Sequence, residues 1–185
     1  MRRIKTEREY SGGESVVALG MFDGVHKAHQ ALIRRAISVA REEHMQSIVC
    51  TFDKRPADVL HPECNTQMLL SLEERLERFA ALGADWALIL PFTANTAQIP
   101  AEEFLHTLTE SLCAKVIVAG FNYTFGKQAR GNAQMLERYA PILGYRTEIV
   151  PPILDSGERV SSTLIRRLLQ NGETERAHAL LRLDV

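Results

Sequence analysis

Cysteine is scarce in this 185-residue sequence, and its three residues, Cys50, Cys64 and Cys113, form neither a CxxC pair nor a disulfide framework. The expectation is reduced thiols. Cys50 and Cys113 fall in or beside apolar runs, which predicts burial, whereas Cys64 lies in a polar loop. No apolar run approaches the roughly 20 residues of a membrane-spanning helix. The basic start Arg2-Arg3-Ile4-Lys5 runs into Thr6-Glu7-Arg8-Glu9 instead of an apolar stretch, unlike a secretory signal. Charge of one sign is also missing. Against 22 Lys and Arg stand 23 Asp and Glu, a net charge of −1, so no global positive field gathers nucleic acid or anionic lipid and any anion site must be local. A cytoplasmic protein with no nucleic-acid or membrane partner is expected.

Hydrophobic residues at 45% and charged residues at 24% are ordinary for a packed globular chain, and the length suits one domain spanning 1–185. The run Val16-Val17-Ala18-Leu19 ends at Gly20 and reads as a strand; Leu32, Ile33, Ala36, Ile37 and Ala40 then recur at helical spacing. The alternation repeats. Ile48 to Phe52 is a second strand, and Ser71-Leu72-Glu73-Glu74 is a capping box that opens a helix through about Leu82, ended by Gly83. Trp86 to Leu90, Val116 to Ala119 and Thr147 to Val150 are further strands, separated by helices over Glu102 to Leu112 and around Met135 to Leu143. Two short helices divided by Asn171-Gly172 finish the chain. Strands that are apolar throughout, alternating with helices, imply a Rossmann-like, doubly wound α/β fold with a parallel sheet covered on both faces. Ligands of such sheets bind beyond the carboxyl ends of the strands, so the loops leaving the first, second and fourth strands are the places to search.

The first of these loops, Gly20-Met21-Phe22-Asp23-Gly24-Val25-His26-Lys27-Ala28-His29, passes directly into a helix. His26 and His29 share one face of its opening turn, where unpaired backbone N–H groups already favour a phosphate and the imidazoles add donors. Ordinary helix-start residues, or a zinc site that adds Asp23, are the competing readings; Lys27 reads as solvated. The segment Val160-Ser161-Ser162-Thr163-Leu164-Ile165-Arg166-Arg167 also opens a helix, where the hydroxyls can cap the helix or grip phosphate oxygens. Arg166 adds a planar charged fork suited to phosphate, while Arg167 can be merely exposed. In the loop from Gly120 to Gly131, Tyr123 and Phe125 are expected to stack on a planar ring and Asn122 to read its edge. Lys127 or Arg130 would meet phosphate there.

Together, Phe22-Asp23-Gly24-Val25-His26, Thr51-Phe52, Leu70 to Arg75, Asn122 to Gly126 and Val160 to Arg166 resemble the adenylyltransferase domain of bifunctional bacterial riboflavin kinase/FAD synthetases, in order and over nearly the whole chain. The resemblance implies an HxGH-type nucleotidyltransferase that moves AMP from ATP to FMN, giving FAD and pyrophosphate, with Mg2+ accompanying ATP. It assigns His26, His29 and Arg166 to the reacting phosphates. Gly20, Phe22, Asp23, Gly24, Ser162 and Thr163 fall to the nucleotide, and Phe52, Asn122, Tyr123 and Phe125 to the flavin. No metal-ligand set on the protein is implied.

Three departures qualify this. Ala28 stands where the family has the glycine of HxGH, Lys54-Arg55-Pro56 replaces Pro-His-Pro, and the sequence stops at Val185 without a riboflavin kinase module. Transfer to another phosphate acceptor, or a weakly active paralogue that binds nucleotide or flavin, remain alternatives.

Overall fold

The computed structural model describes residues 1–61, 63 and 67–183; Cys64 and its expected polar loop position lie outside the described residues. The elements follow in the order β1 (Arg2–Ile4), β2 (Ser15–Leu19), α1 (Lys27–Glu42), β3 (Gln46–Phe52), α2 (Pro56–Leu60), α3 (Leu72–Leu82), β4 (Trp86–Leu90), α4 (Ala101–Ser111) and β5 (Ala114–Gly120). The hairpin strands β6 (Thr124–Phe125) and β7 (Gly131–Asn132) come next, then α5 (Ala133–Leu143) and β8 (Arg146–Val150). A second small hairpin, β9 (Leu154–Asp155) with β10 (Glu158–Arg159), leads into α6 (Ser162–Gln170) and α7 (Thr174–Leu181).

Six strands form one parallel sheet in the order β1-β4-β3-β2-β5-β8. Alternation along the strands divides the core. Val17, Leu19, Ile48, Cys50, Leu88 and Ile117 face one side with Leu105 and Leu108 of α4 and Leu136 of α5. Val16, Ala18, Val49, Ala87, Val116 and Val118 face the other with Ile33 and Ala36 of α1 and Phe79 of α3. Because both faces carry helices, both residues of an alternating pair are predominantly apolar, which is why the strands read as nearly continuous apolar runs. A third cluster, built on Val160, Leu164, Ile165, Ala177 and Leu180, packs α6 on α7.

The doubly wound α/β class is therefore observed, with an edge strand that the hydrophobic pattern does not reveal. In β1 only Ile4 is buried, and its neighbours are arginines. The burial expected of the cysteines holds for Cys50, whose thiol burial pushes up to about 12, and fails for Cys113, exposed on the turn after α4 with φ of 51°. The adjacent apolar run is α4 and β5, and Cys113 is the turn residue between them.

The chain winds outward from β2 to β3 and β4, then crosses back through α4 to place β5 on the other side of β2. The switch point lies between the carboxyl ends of β2 and β5, where a parallel sheet leaves a crevice.

Candidate active site

The loop that leaves β2 is held in an unfavourable conformation. Phe22 and Val25 have φ of 52° and 42°, and a β-branched residue in that region is a true outlier, at a cost of about 1–3 kcal/mol. Packing overdetermines it. The Phe22 ring is fully buried, edge-on to Phe79 and to His29, and the buried Gln30 side chain donates to the Val25 carbonyl at 2.9 Å and to that of Arg182 at 2.9 Å. Gly20 is required by close approach: a Cβ there would lie 2.8 Å from the Phe22 ring. At Gly24, φ is 86° and a Cβ would meet Leu69 at 2.9 Å.

This loop delivers His26 as the N-cap of α1. Its Nδ1 accepts the His29 backbone N–H at 3.4 Å, which leaves the proton of the neutral ring on Nε2. The two imidazoles stack with centroids 3.7 Å apart. Burial pulls His26 down to about 4, against a smaller upward pull from Asp23; burial and the neighbouring His26 hold His29 well below the ordinary imidazole value. Both rings are therefore neutral donors at pH 7, not the doubly donating imidazolium.

The start of α6 faces them. Ser161 takes the capping role, its Oγ accepting the Leu164 N–H at 3.1 Å, while Ser162 Oγ donates to the Asp23 carbonyl at 2.8 Å. The Asp23 carboxylate accepts from Leu69 N–H at 2.9 Å and pairs with Arg166, which also donates to the Gln67 carbonyl. Asp23 thus joins the loop that leaves β2, the approach to α3, and α6.

Between these helix starts and the ends of β5 and β8 lies a cleft of about 150 Å³. His26, Ala28, His29 and Leu32 form one wall; Gly120, Phe121 and Asn122 form a second; Val150 to Pro152 and Arg159 to Ser162 complete it. The enclosed space is below the roughly 300–1,000 Å³ of sites that swallow a drug-sized molecule, so a ligand of that size would be held only in part within it.

The family model for FAD synthetase matches residues 9–164 of this chain. The chain belongs to the FAD synthetase family. It is 35% identical over 177 residues to the bifunctional riboflavin kinase/FMN adenylyltransferase of Listeria monocytogenes, covering 95% of this chain and 56% of that protein. The Bacillus subtilis protein of the same description is 31% identical, with 91% of this chain and 53% of that one covered. The chain thus spans about half the length of these relatives. A Geobacillus thermodenitrificans protein, described as a putative member with the same two activities, is 35% identical and is covered over 89% of its length. A solved Streptococcus pneumoniae structure, described as a macrolide-efflux protein, superposes with a TM-score of 0.85 at 36% identity, over 97% of this chain and 59% of that one. Efflux is a description of that protein; among the described residues here, no helix is long and apolar enough to cross a membrane. The pantoate-beta-alanine ligase of Francisella tularensis shares the fold, with a TM-score of 0.56 at 13% identity over 97% of this chain and 86% of that one.

Of the residues that FAD synthetase resemblance assigns to ligands, the fold brings His26, His29, Asn122 and Ser162 to the cleft. Others are placed elsewhere. The Phe22 side chain cannot face a nucleotide, because the loop turns it into the core beneath His29. Phe125 is likewise core, 6% exposed between Phe104 and Tyr123, and Tyr123 is half-buried against the same cluster, so neither ring expected to stack on a ligand is among the residues that line the cleft. Alternation on the short β6 turns Phe125 inward. Phe52 lies edge-on to Phe92 away from the cleft wall, and Thr163 is exposed on the outer side of α6 beside Arg167. Among the lining residues that sequence reasoning did not single out are Phe121, 39% exposed, and Arg159, whose guanidinium lies 5.4 Å from the Phe121 ring centroid. Their only sequence signal is adjacency to Asn122 and to Val160-Ser161. Among the described residues no three His, Cys, Asp or Glu side chains gather as a metal-ligand set, and both Asp23 oxygens are already engaged, so the zinc reading finds no assembled ligands.

Proposed function

We propose that this chain acts as one nucleotidyltransferase domain that transfers AMP from ATP to FMN, giving FAD and pyrophosphate, in the cytoplasm. The observation that carries the reading is the convergence of two helix starts, α1 with its paired imidazoles and α6 with its serines, on one cleft at the switch point of the sheet. Unpaired N–H groups at both starts favour phosphate from two sides. Family membership and the relatives' descriptions support the same chemistry.

In this reading an FMN phosphate oxygen attacks the α-phosphorus of ATP in line. A new P–O bond forms, the bond to the bridging oxygen breaks, and pyrophosphate leaves with the electron pair. No protein nucleophile is required, and the work is positioning and stabilisation of developing charge. His26, with its proton on Nε2, and neutral His29 donate to phosphate oxygens. Ser162 and Arg166 serve the outgoing pyrophosphate, Arg166 by exchanging the Asp23 carboxylate for phosphate, while Thr163, on the outer side of α6, takes no part. Gly20, Asp23 and Gly24 shape the nucleotide loop. Asn122 is assigned to the flavin, with Tyr123 and Phe125 supporting its loop from beneath; Phe52, packed on Phe92 outside the cleft wall, is left without a ligand contact. Mg2+ would enter with ATP as part of the substrate and would supply charge neutralisation at the triphosphate; among the described residues no three His, Cys, Asp or Glu side chains gather to hold it.

Purified protein incubated with ATP, magnesium and FMN should yield FAD and pyrophosphate by chromatography, and absence of both products under those conditions refutes the reading. A second acceptor is favoured by one observation: Arg55, permanently charged and paired with Asp58 at the start of α2, occupies the position of the family histidine. Exact-mass analysis of ATP reactions with other phosphate acceptors separates the two.

A further inference from the structure

Arg75 is the bulkiest fully buried side chain among the described residues, with none of its surface exposed and no carboxylate within ion-pair distance. Its guanidinium is surrounded by oxygens at the ends of two neighbouring strands. Nη1 donates to the Met21 carbonyl at 3.0 Å, to Thr51 Oγ1 at 3.2 Å and to the Phe52 carbonyl at 3.1 Å; Nη2 donates to the Asp53 carbonyl at 3.1 Å. Nε has no partner among the described residues. Burial lowers the pKa of the group, partly offset by Asp23 and Asp53, yet an arginine remains charged at neutral pH. Filling space would be served as well by an apolar residue of similar volume. A buried charge with only neutral ligands needs another explanation.

Its position supplies one. The strands β2 and β3 are in register up to Leu19 and Cys50, and the next ladder bond, Gly20 N–H to the Cys50 carbonyl at 3.3 Å, is followed by divergence into two separate loops. Beyond that point the planar fork of Arg75 spans them. On one side the Met21 carbonyl accepts from Arg75 and, at 2.9 Å, from Thr51 Oγ1, which fixes the peptide leading into left-handed Phe22, whose ring abuts His29. On the other side the Asp53 carbonyl is held while its carboxylate accepts the Phe92 N–H at 2.8 Å, which fixes the approach to Arg55.

We infer that Arg75 is a positioning residue that sets the spacing between the loop carrying the nucleotide-side histidines and the loop on the acceptor side. The inference rests on the adenylyl-transfer reading for its kinetic consequence only. Each loop keeps its own ligand contacts without Arg75; what is lost is their mutual placement, on which in-line attack depends.

The test is Arg75→Lys, which keeps the charge but replaces the planar fork with a single ammonium that cannot span both loops. The expected result is kcat lower by about tenfold or more, with KM for ATP and for FMN each within about threefold of the parent. The imidazole 15N resonances of His26 and His29, read without substrates, should shift. Unchanged kcat in folded Arg75→Lys, or a loss confined to KM, overturns the inference. Should Arg75→Lys fail to fold, Thr51→Val decides: it removes the second donor to the Met21 carbonyl, and unchanged kcat and imidazole signals there overturn the inference, whereas a drop in kcat at constant KM sustains it. A parent that makes no FAD refutes the activity alone, since shifted imidazole resonances in Arg75→Lys would still establish the coupling of the two loops. An active parent with unmoved resonances and unchanged variant kcat refutes the coupling alone.

Discussion

The rings of His26 and His29 lie face to face, 3.7 Å between centroids and 17° from parallel. Two positive charges at about that spacing repel by roughly 4 kcal/mol at an effective dielectric of about 20. Together with burial, this keeps both rings neutral and ties the stability of the fold to pH.

An unfolded chain binds a proton on His26 near pH 6.5, whereas the folded ring resists protonation until about 4. Between those values the unfolded state holds more protons, so stability is full above 6.5 and falls as pH drops toward 4, by up to about 3 kcal/mol for His26. Thermal melts from pH 7.5 to 4.5 should show this slope. His26→Asn, which preserves an N-cap acceptor, should flatten it; an equal slope in that variant would disprove the assignment.

Removing Arg166 strands a carboxylate that is only 6% exposed. Arg166→Ala should cost about 3 kcal/mol, as expected for one half of a buried pair, and lower Tm by about 6–12 °C in a chain of this length. Turnover per folded molecule should also fall about 100-fold, the scale of one lost preorganised donor. Calorimetry should find Asp23→Asn/Arg166→Ala more stable than Arg166→Ala.

Ala28 lines the cleft but also packs against the α6–α7 cluster. Ala28→Gly should therefore lose about 1 kcal/mol through helix propensity and that contact. Its ATP dissociation constant should stay within about threefold of the parent, because the seated methyl is not the obstacle that a bare comparison with HxGH suggests. Isothermal titration measures the constant; a tenfold gain in affinity would mean the methyl does obstruct the nucleotide.

Phe121 is exposed and lines the cleft, so Phe121→Ala should leave Tm within about 2 °C. Removal of a ring face of this kind is worth about 1 kcal/mol or more, a rise of roughly fivefold in KM for one substrate. Steady-state kinetics with each substrate varied will identify which. Unchanged KM for both would remove Phe121 from the site.

Much of the fold was legible because its signals are local. The capping box at Ser71 and Glu74 forms as expected, and Gly83 ends the helix it opens. The edge strand β1 was not legible, since two of its three residues are exposed arginines and its pairing with β4 joins Arg2 to Trp86 across the sequence. At the site, the histidine spacing predicted a shared face and the serines a helix start, and both are found.

What the sequence determined by itself was the order of the five sheet strands from β2 onward with their main helices, the parallel sheet and the loops worth searching, because periodicity, caps and turn residues act over a few positions along the chain. Only the tertiary structure decided which aromatic is wall and which is core, Phe121 against Phe125, and which charges meet, Asp23 with Arg166 across 143 positions. It likewise put Arg75 under two loops instead of on a solvated helix face. The physical reason is that burial and ion pairing depend on distance in space, which the packing of the helices on the sheet sets and no local pattern encodes.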